Sequence, residues 1–486
     1  MTAKYVLLLL LVIFLGIISR TGFFLDPIEE DSAVFISVGQ GITQGALPYK
    51  YLWDNKPPVV YYLNAAAIYL FGNSTVSVKI FELVWQFLSS VAVLFVARKL
   101  FSINTGIVLS ILYTLVVSFK DLNVGGNFTE TYLLGFELLA LFFILKFFKF
   151  PSTRYVFISG LFMGLVFMTK QSGTALSFLT FVYLILGARG KDRIILPLLY
   201  CLAFAVPFVS FSLYFMARVT FPDFIDQVFV FNWFYLKDTF LSSANIIIFI
   251  KTFYQIGKYL IPVLFLAVLS GVFVIRNIKR VNSDYIFILI LFVVELIFVF
   301  LTGGKYEHYF LQIVVSGVFL SGIAIEEFVV KARLIMPLRI AVTAAVLLLF
   351  IKPFYLQSLN IRDSLEKRYV KKQINGVEKV ANYIKQKTPS DKTIFVWGYK
   401  PQIYFLSRRA SATRYFYNLP MIYGKYFSQS KTDELISQLK TNKPYVIVDV
   451  NNDIRENSVI YKALNMTESY DYKGKIDDMF IYELKV

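Results

Sequence analysis

The amino-acid sequence predicts an α-helical polytopic membrane protein that ends in a small α/β domain. Hydrophobic residues make up 57% of the 486-residue chain, well above the roughly 45–50% apolar content of a soluble domain. Several runs hold about 18 residues with almost no charge, which is the length that a helix needs to cross a bilayer. Beyond about residue 356 these runs stop, and short helix and strand patterns alternate instead.

About eleven transmembrane helices are predicted from the apolar runs. The first run is a span rather than a signal peptide, because Arg20 and two phenylalanines follow it where a small-residue cleavage site would stand. The short apolar segment 59–71 is predicted instead as a helix at the membrane surface. The predicted spans are 5–23, 76–97, 103–119, 128–146, 154–169, 172–188, 194–216, 258–275, 285–302, 308–325 and 336–355.

Lysine and arginine in the short loops predict the orientation. With a cytoplasmic N-terminus every inner turn is basic, and the odd number of spans places the C-terminal domain outside the cytoplasm. We expect a bacterial inner membrane from the compact, undecorated loops. The inner basic residues are Arg98, Lys99, Lys146, Lys149, Arg154, Arg189, Lys191, Arg193, Arg276, Lys279, Arg280, Lys331, Arg333 and Arg339.

The net charge of +17 does not indicate nucleic-acid binding, because most basic residues lie in these short loops or in the polar C-terminal segment. No nucleic-acid partner is expected, whereas membrane lipids are. The single cysteine, Cys201, lies in an apolar run and cannot form an intramolecular disulfide. Cysteine use therefore gives no information on the compartment.

Two domains are predicted, a membrane domain at 1–355 and an extracytoplasmic α/β domain at 356–486. In the second domain, the pattern of residues predicts helices and strands in alternation, as in small α/β folds. The predicted helices are 377–386 and 433–439, and the predicted strands are 393–397, 445–450 and 479–484.

The first outer loop, about 24–75, is long and carries carboxylates at Asp26, Glu29, Glu30 and Asp31. Carboxylates beside a membrane are costly unless they face water, a metal or a cation. Crowding also raises the pKa of one member of such a set, as a general base requires. A solvated loop face is the alternative interpretation of the same cluster.

The stretch Pro48–Pro58 follows in the same loop. The Pro57-Pro58 pair ends the preceding structure and starts a helix at a fixed angle. Lys56, directly before it, is held at the membrane boundary, where an ammonium group suits a phosphate oxygen. A lysine that only snorkels to the interface would look the same in the sequence.

Read in order, the acidic cluster, then Gly45, Pro48 and Tyr49, then Trp53-Asp54-Asn55-Lys56-Pro57-Pro58, resembles the first outer loop of the GT-C class of glycosyltransferases. Within that class the loop is most similar to the dolichyl-phosphate-mannose–protein mannosyltransferase-like family and the lipid A aminoarabinose transferases. The resemblance covers about residues 1–350. It implies a GT-C-like fold and transfer of a sugar from a polyprenyl-phosphate donor to a lipid, glycan or protein acceptor outside the cytoplasm.

Three later positions match the same pattern at the outer ends of spans. Glu130 opens the fourth span after Gly125-Gly126-Asn127, and Lys170 lies in the turn between spans five and six. His308, the chain's single histidine, follows Lys305 after the ninth span. The charge rule, applied independently, puts all of these residues on the face that carries the first loop.

The resemblance implies a mechanism. Asp31 or Glu30 deprotonates the acceptor hydroxyl, which attacks the anomeric carbon directly and inverts it. Lysines neutralise the departing polyprenyl phosphate, and further polar residues position the acceptor, with a divalent metal as an option at His308 and Glu130. The phosphate-binding lysines are Lys56, Lys170 and Lys305, and the positioning residues are Glu130, His308, Asp54 and Glu29.

One departure leaves the metal open. The aminoarabinose transferases have an acidic residue before Lys-Pro-Pro that helps to hold a metal, whereas this chain has Asn55 there and Asp54 one residue earlier. The alignment of the family's acidic residues is also open: its acidic pair corresponds to Glu30 and Asp31, or its first acidic residue corresponds to Asp31 alone. The alternative functions are another enzyme of lipid-linked glycans, such as a polymerase or ligase, and a polyprenyl-lipid transporter. Charges at helix ends rather than at the midplane favour the transferase.

Overall fold

The computed structural model describes residues 3–123, 125–237, 243–331, 344, 348–372, 374–456 and 458–485, with side chains for all of these except 3–9 and 243–245. Contacts within the chain divide it into two compact units. The bundle unit comprises Met1–Asp26, Lys79–Ser212 and Thr239–Glu366. The loop unit comprises Pro27–Val78, Leu213–Asp238 and Lys367–Val486.

Long apolar helices confirm a polytopic integral membrane protein. Among the described residues, 6 helices are long and apolar enough to cross a membrane. At 1.5 Å per residue, a helix of about 20 residues covers the roughly 30 Å of a hydrocarbon core. The 6 helices are Thr75–Leu100, Thr129–Lys149, Asp192–Ala217, Ile246–Arg276, Ser283–Leu301 and Glu307–Val330.

Other apolar helices in the described part of the chain are shorter than the bilayer core. The segment predicted to lie at the membrane surface forms one of them, Val59–Phe71. The number of full crossings is not decided by helix length, so the count of eleven stays a prediction, and most of the predicted span 336–355 lies outside the described residues. The remaining short helices are Ala3–Ser19, Ile103–Val116, Thr153–Phe167 and Ala175–Gly187.

Two glycines show how tightly the bundle unit packs. Gly160 and Gly164 lie four residues apart on one face of the helix Thr153–Phe167. A Cβ atom at Gly164 would lie 2.3 Å from the carbonyl oxygen of Phe204, and one at Gly160 would lie 2.7 Å from that of Tyr200. Small residues at this spacing allow helix backbones to approach closely inside a membrane, where burial from water does not drive association. Short helices also lie in this unit at Thr21–Leu25, Lys120–Asn123, Gln171–Gly173 and Ile351–Leu365.

The C-terminal part of the loop unit folds around a 4-stranded sheet of order β1-β2-β4-β3. The strands are β1 (Ile394–Trp397), β2 (Val446–Asp449), β3 (Tyr470–Ile476) and β4 (Met479–Leu484). β1 and β2 are parallel, whereas β4 pairs antiparallel with both β2 and β3. Helices at Gly376–Lys387, Gln402–Ser407, Leu419–Ile422, Gln429–Asn442, Val459–Ala463 and Met466–Ser469 complete this part.

The α/β character predicted for the C-terminal end is therefore confirmed, with one omission. β1, β2 and β4 match the three predicted strands, and both predicted helices are present. β3 was not predicted, because its sequence is polar and contains Gly474 at a β-bulge. The domain boundary at 355/356 stays a prediction.

The rest of the loop unit is helical. Its first helix, Glu30–Thr43, lies in the predicted outer loop and packs against Val59–Phe71. A second stretch of the chain contributes Phe221–Ile225, Asp226–Val230 and Phe231–Lys237.

Candidate functional site

Two of the predicted acidic residues lie in the first turn of a helix. Glu29 is in extended conformation at the N-cap of the helix Glu30–Thr43, and its side chain is half-buried. Glu30 and Asp31 follow in the first turn. Unpaired backbone N–H groups and the helix dipole favour negative charge at this end of a helix. The fold thus places two adjacent carboxylates where a helix end favours negative charge.

Residues of the C-terminal segment hold both carboxylates. The hydroxyl group of Tyr399 donates a hydrogen bond to Asp31 Oδ1, and Lys400 Nζ lies 2.5 Å from Glu30 Oε1. Both partners follow β1 directly, after Gly398. Neither residue was predicted from the sequence, although a Gly-Tyr-Lys-Pro turn at the end of a buried strand is a common place for functional residues.

These contacts give the two carboxylates different electrostatic surroundings. Burial alone would raise the pKa of Glu30, but the hydrogen bond and charge of Lys400 outweigh it and hold that pKa below its usual value. Burial and the charge of Asp31 raise the pKa of Tyr399 well above the normal value for a phenol. Tyr399 therefore stays a neutral donor to Asp31, whereas Glu30 is paired with a full positive charge.

Asp54 is enclosed rather than open to solvent. Its side chain accepts hydrogen bonds from Tyr61 at 2.5 Å and from Tyr417 at 2.5 Å. Its backbone N–H donates to Gln227 at 3.2 Å. Burial raises the pKa of Asp54, while the charge of Lys56 and the two phenols oppose that rise. Asp54 thus anchors the Trp53–Pro58 segment inside the loop unit.

Asn55 and Lys56 are fixed by the same segment. Asn55 Nδ2 donates to Asn232 Oδ1 at 2.8 Å, and Asn232 Nδ2 donates back to the Asn55 carbonyl at 2.8 Å. The Lys56 carbonyl accepts from the hydroxyl groups of Tyr49 at 2.9 Å and Tyr61 at 3.1 Å. The backbone of Lys56 is therefore held in one position, and its side chain is half-buried.

A second cluster lies in the bundle unit and joins three predicted residues from three separate helix ends. Lys170 Nζ forms a salt bridge with Glu130 Oε1, and Thr129 donates to Glu130 Oε2 at 2.8 Å. His308 Nε2 lies 4.0 Å from Glu130 Oε1. Glu130, Lys170 and His308 are all buried.

Aromatic rings enclose this cluster. The ring of His308 stacks on Phe128 with centroids 4.0 Å apart and planes 6° apart. Lys170 Nζ lies 3.8 Å from the ring centroid of Tyr309, at the distance of a cation–π interaction. Phe128 and Tyr309 are close neighbours in sequence of Glu130 and His308. The helix ends that carry Glu130 and His308 therefore each bring both a polar group and a ring.

A buried ion pair supports the loop that leads into Glu130. Arg20 and Glu82 are almost fully buried, with 2.5 Å between their charged atoms. The backbone N–H of Asn127 donates to Glu82 Oε2 at 2.8 Å. This pair was not predicted from the sequence, although a carboxylate within a predicted span, as at Glu82, is a signal that the sequence shows.

Other predicted residues do not join either cluster. The carboxylate of Asp26 lies 2.8 Å from Lys120 Nζ in the bundle unit, whereas Glu30 and Asp31 belong to the loop unit. Lys305 is half-buried in the loop before His308 and forms no ion pair among the described residues.

The divalent metal predicted as an option at His308 and Glu130 stays a prediction. Within the described part of the chain, no three His, Cys, Asp or Glu side chains converge as a protein metal site requires. The ammonium group of Lys170 takes the place beside Glu130 that a cation would need.

Comparison with known proteins relates both units to solved membrane enzymes. ArnT from Cupriavidus metallidurans, solved bound to undecaprenyl phosphate, matches with a TM-score of 0.63 and 15% identity over 99% of this chain and 98% of that chain. The Archaeoglobus fulgidus oligosaccharyltransferase in complex with Zn and sulfate matches with a TM-score of 0.57 and 14% identity, over 98% of this chain and 73% of that chain. The archaeal oligosaccharyltransferase AglB from Archaeoglobus fulgidus, in complex with an inhibitory peptide and a dolichol-phosphate, matches with a TM-score of 0.55 and 13% identity. That match covers 99% of this chain and 74% of that chain.

The chain has the GT-C fold. Residues 55–215 match the family model of dolichyl-phosphate-mannose-protein mannosyltransferase. This match begins at Asn55 and includes Glu130 and Lys170, and it agrees with the resemblance seen in the first loop. Beyond the GT-C membrane part, residues 375–485 match the model of the competence-induced protein Ccs4 C-terminal domain. No curated protein sequence matches this GT-C chain.

Proposed function

We propose that this protein is a membrane glycosyltransferase that moves a sugar from a polyprenyl-phosphate donor to an acceptor hydroxyl group. The GT-C fold, shared over 99% of the chain with an enzyme solved bound to undecaprenyl phosphate, supports this class. The observation that carries the proposal is the acidic pair Glu30 and Asp31 in the first turn of the loop helix, each held by a polar partner. Such a pair can accept a proton and stay oriented while it does so.

Asp31 is the better candidate for the base. A base must keep its affinity for a proton, and the ion pair with Lys400 reduces that affinity at Glu30. Asp31 instead receives a neutral hydrogen bond from Tyr399, which fixes one oxygen and leaves the other for the acceptor hydroxyl. In this mechanism Asp31 removes the proton, the acceptor oxygen attacks the anomeric carbon, and the polyprenyl phosphate leaves from the opposite side. A single displacement of this kind inverts the anomeric centre.

The charge that develops on the leaving phosphate needs a cation. Lys56 suits this role because two tyrosine hydroxyl groups fix its backbone, so its side chain starts from a defined position. Lys305 is a second candidate, since it has no ion-pair partner among the described residues. Lys170 is already neutralised by Glu130, so we assign it to the acceptor-positioning cluster with His308 rather than to the phosphate.

The orientation follows from the basic inner loops, which support catalysis at the outer face of a bacterial inner membrane. Donor and acceptor would then meet outside the cytoplasm, where soluble nucleotide sugars are absent. A lipid-linked donor is the form of activated sugar that such a site can use.

Donor turnover tests the proposal. Purified protein is incubated with a panel of polyprenyl-phosphate sugars and an acceptor extract, and the release of free polyprenyl phosphate is measured. We expect Asp31→Asn to lower turnover about 100-fold or more, as loss of a general base does. Glu30→Gln should have a smaller effect, and Lys56→Ala should slow release of the phosphate.

Asp391→Asn is the matched control, because Asp391 is an exposed carboxylate of the same unit. Full turnover in the Asp31, Glu30 and Lys56 variants would refute the mechanism. Movement of intact lipid-linked sugar across liposomes, without release of polyprenyl phosphate, would favour the transporter instead.

A further inference from the structure

A pocket of about 330 Å³ lies within the loop unit at the far end of the helix Glu30–Thr43. One face of this helix and the loop after it supply Ser37, Gln40 and Gln44 to its wall, and the segment 409–414 closes the other side. These positions lie six to thirteen residues beyond Asp31, or roughly 9–20 Å along the helix axis. The pocket is therefore separate from the acidic pair but built on the same helix.

The charged groups that line the pocket are all basic. No aspartate or glutamate lines it, whereas Lys50, Arg409 and Arg414 do. Arg414 is offset by Asp223 at 2.6 Å and Glu434 at 3.2 Å. Lys50 is exposed and has no carboxylate partner among the described residues. The pocket consequently favours an anionic ligand.

Unsatisfied polar atoms point to a ligand with hydroxyl groups. The hydroxyl group of Ser37 is buried and has no hydrogen-bond partner in the described structure. Leaving such a group unpaired destabilises a protein, so its presence in a pocket wall indicates a missing partner. Gln40 and Gln44 line the same pocket, and the ring of Tyr51 is 53% exposed. Amide groups bind sugar hydroxyl groups, and an exposed ring packs on the apolar face of a sugar.

The loop that carries Lys50 and Tyr51 is held rigidly. Tyr49 is fully buried and has a φ of 68°, a left-handed conformation that is strained for this residue. Its carbonyl accepts hydrogen bonds from Gln227 at 2.7 Å and from Arg414. These contacts keep the strained residue in place and fix the direction of its neighbours, so the pocket wall is formed before any ligand arrives.

We propose that this pocket binds an anionic saccharide unit of the acceptor glycan. The volume is at the small end for ligand sites, which run from about 300 to 1,000 Å³, and suits one or two sugar rings. The assignment to the acceptor rests on the proposed transferase function. The acceptor is then a glycan of several sugar units. The unit that carries the acidic group binds in this pocket, while another unit is glycosylated near Asp31. The acidic group is a carboxylate or a phosphate, since both suit Lys50.

Calorimetric titration of the full-length protein in detergent tests the pocket without any donor. The probes are a disaccharide that ends in glucuronic acid, glucose 6-phosphate, maltose and inorganic phosphate. We expect one of the two anionic sugars to bind at least tenfold more tightly than both maltose and inorganic phosphate. Which of the two binds identifies the acidic group. Equal binding of maltose or of inorganic phosphate, or no binding of any sugar, would overturn the proposal.

Two variants link that binding to the pocket. Lys50→Glu should weaken the anionic sugar at least tenfold, whereas Lys425→Glu, the same charge change at an exposed site outside the pocket, should not. Ser37→Ala should weaken binding about two- to tenfold, as loss of one hydrogen bond does, without lowering the melting temperature. Unchanged binding in both pocket variants would place the ligand elsewhere and refute the assignment.

Different results would refute the pocket assignment and the proposed transferase function. Intact sugar binding with no donor turnover in any panel counts against the proposed function alone. Normal turnover with an unchanged KM for a polymeric acceptor in Lys50→Glu would refute the acceptor role of the pocket alone.

Discussion

The salt bridge between Lys170 and Glu130 yields a prediction whose size can be worked out from the structure. Glu130 is 1% exposed and the side chain of Lys170 is 11% exposed, so water screens the pair little. Removal of one partner from a buried pair typically costs about 3–5 kcal/mol, because an uncompensated charge remains. Glu130 would keep the hydroxyl group of Thr129 at 2.8 Å and gain partial compensation from His308 at 4.0 Å. We therefore expect Lys170→Met to lower the free energy of unfolding by about 3 kcal/mol, at the low end of that range.

The double variant Glu130→Gln, Lys170→Met separates this effect from simple loss of packing. It removes both charges and keeps similar side-chain volumes, so its stability should lie within about 1 kcal/mol of the wild type. The double variant should then be about 2 kcal/mol more stable than Lys170→Met. Denaturant unfolding of the detergent-solubilised wild type, both single variants and the double variant measures this difference as part of a double-mutant cycle. Wild-type stability of Lys170→Met, or a double variant as unstable as the single one, would refute the account.

Three further outcomes are expected. Asp54→Ala should cost about 2–4 kcal/mol in unfolding free energy, because Tyr61 and Tyr417 lose a carboxylate acceptor; retained stability with lost turnover would point to a catalytic role instead. The lowered pKa of Glu30 means that its ion pair stabilises the fold above pH 4.5 and that this contribution is lost as the pH falls through the folded pKa. Glu30→Gln should therefore flatten the acid side of a melting-temperature profile, and an unchanged profile would contradict this. Tyr399→Phe should lower kcat about tenfold with little change in donor KM, because the phenol orients the base; a changed KM at constant kcat would argue against it.

The sequence predicted the membrane part well because the membrane itself imposes a simple rule. A segment that crosses hydrocarbon must be apolar over a fixed length and must satisfy its own backbone hydrogen bonds. The long helices from Thr75–Leu100 to Glu307–Val330 follow that rule and are recognisable in the sequence as long apolar segments. Short helices such as Ala175–Gly187 fall below that length, which is why the number of crossings is still a prediction.

The C-terminal strands show where local pattern is insufficient. β1, β2 and β4 are apolar enough to be recognised, because their residues are buried or half-buried. β3 lies at one edge and most of its residues are exposed, so it tolerates a polar and charged sequence. Its strand character arises from pairing with β4 and not from its own residues.

Sequence by itself determined that this is a polytopic membrane protein with a C-terminal α/β part, and it singled out the candidate site residues. The apolar runs, the acidic loop and the separate positions of Glu130, Lys170 and His308 are all local properties of the chain. Only the tertiary structure decided what each residue contacts, since partners from distant positions are set by packing. It brought Tyr399 to Asp31, although 368 positions separate them. It also enclosed Asp54 between two tyrosines, because an enclosed carboxylate needs hydrogen-bond donors that no neighbour in sequence supplies.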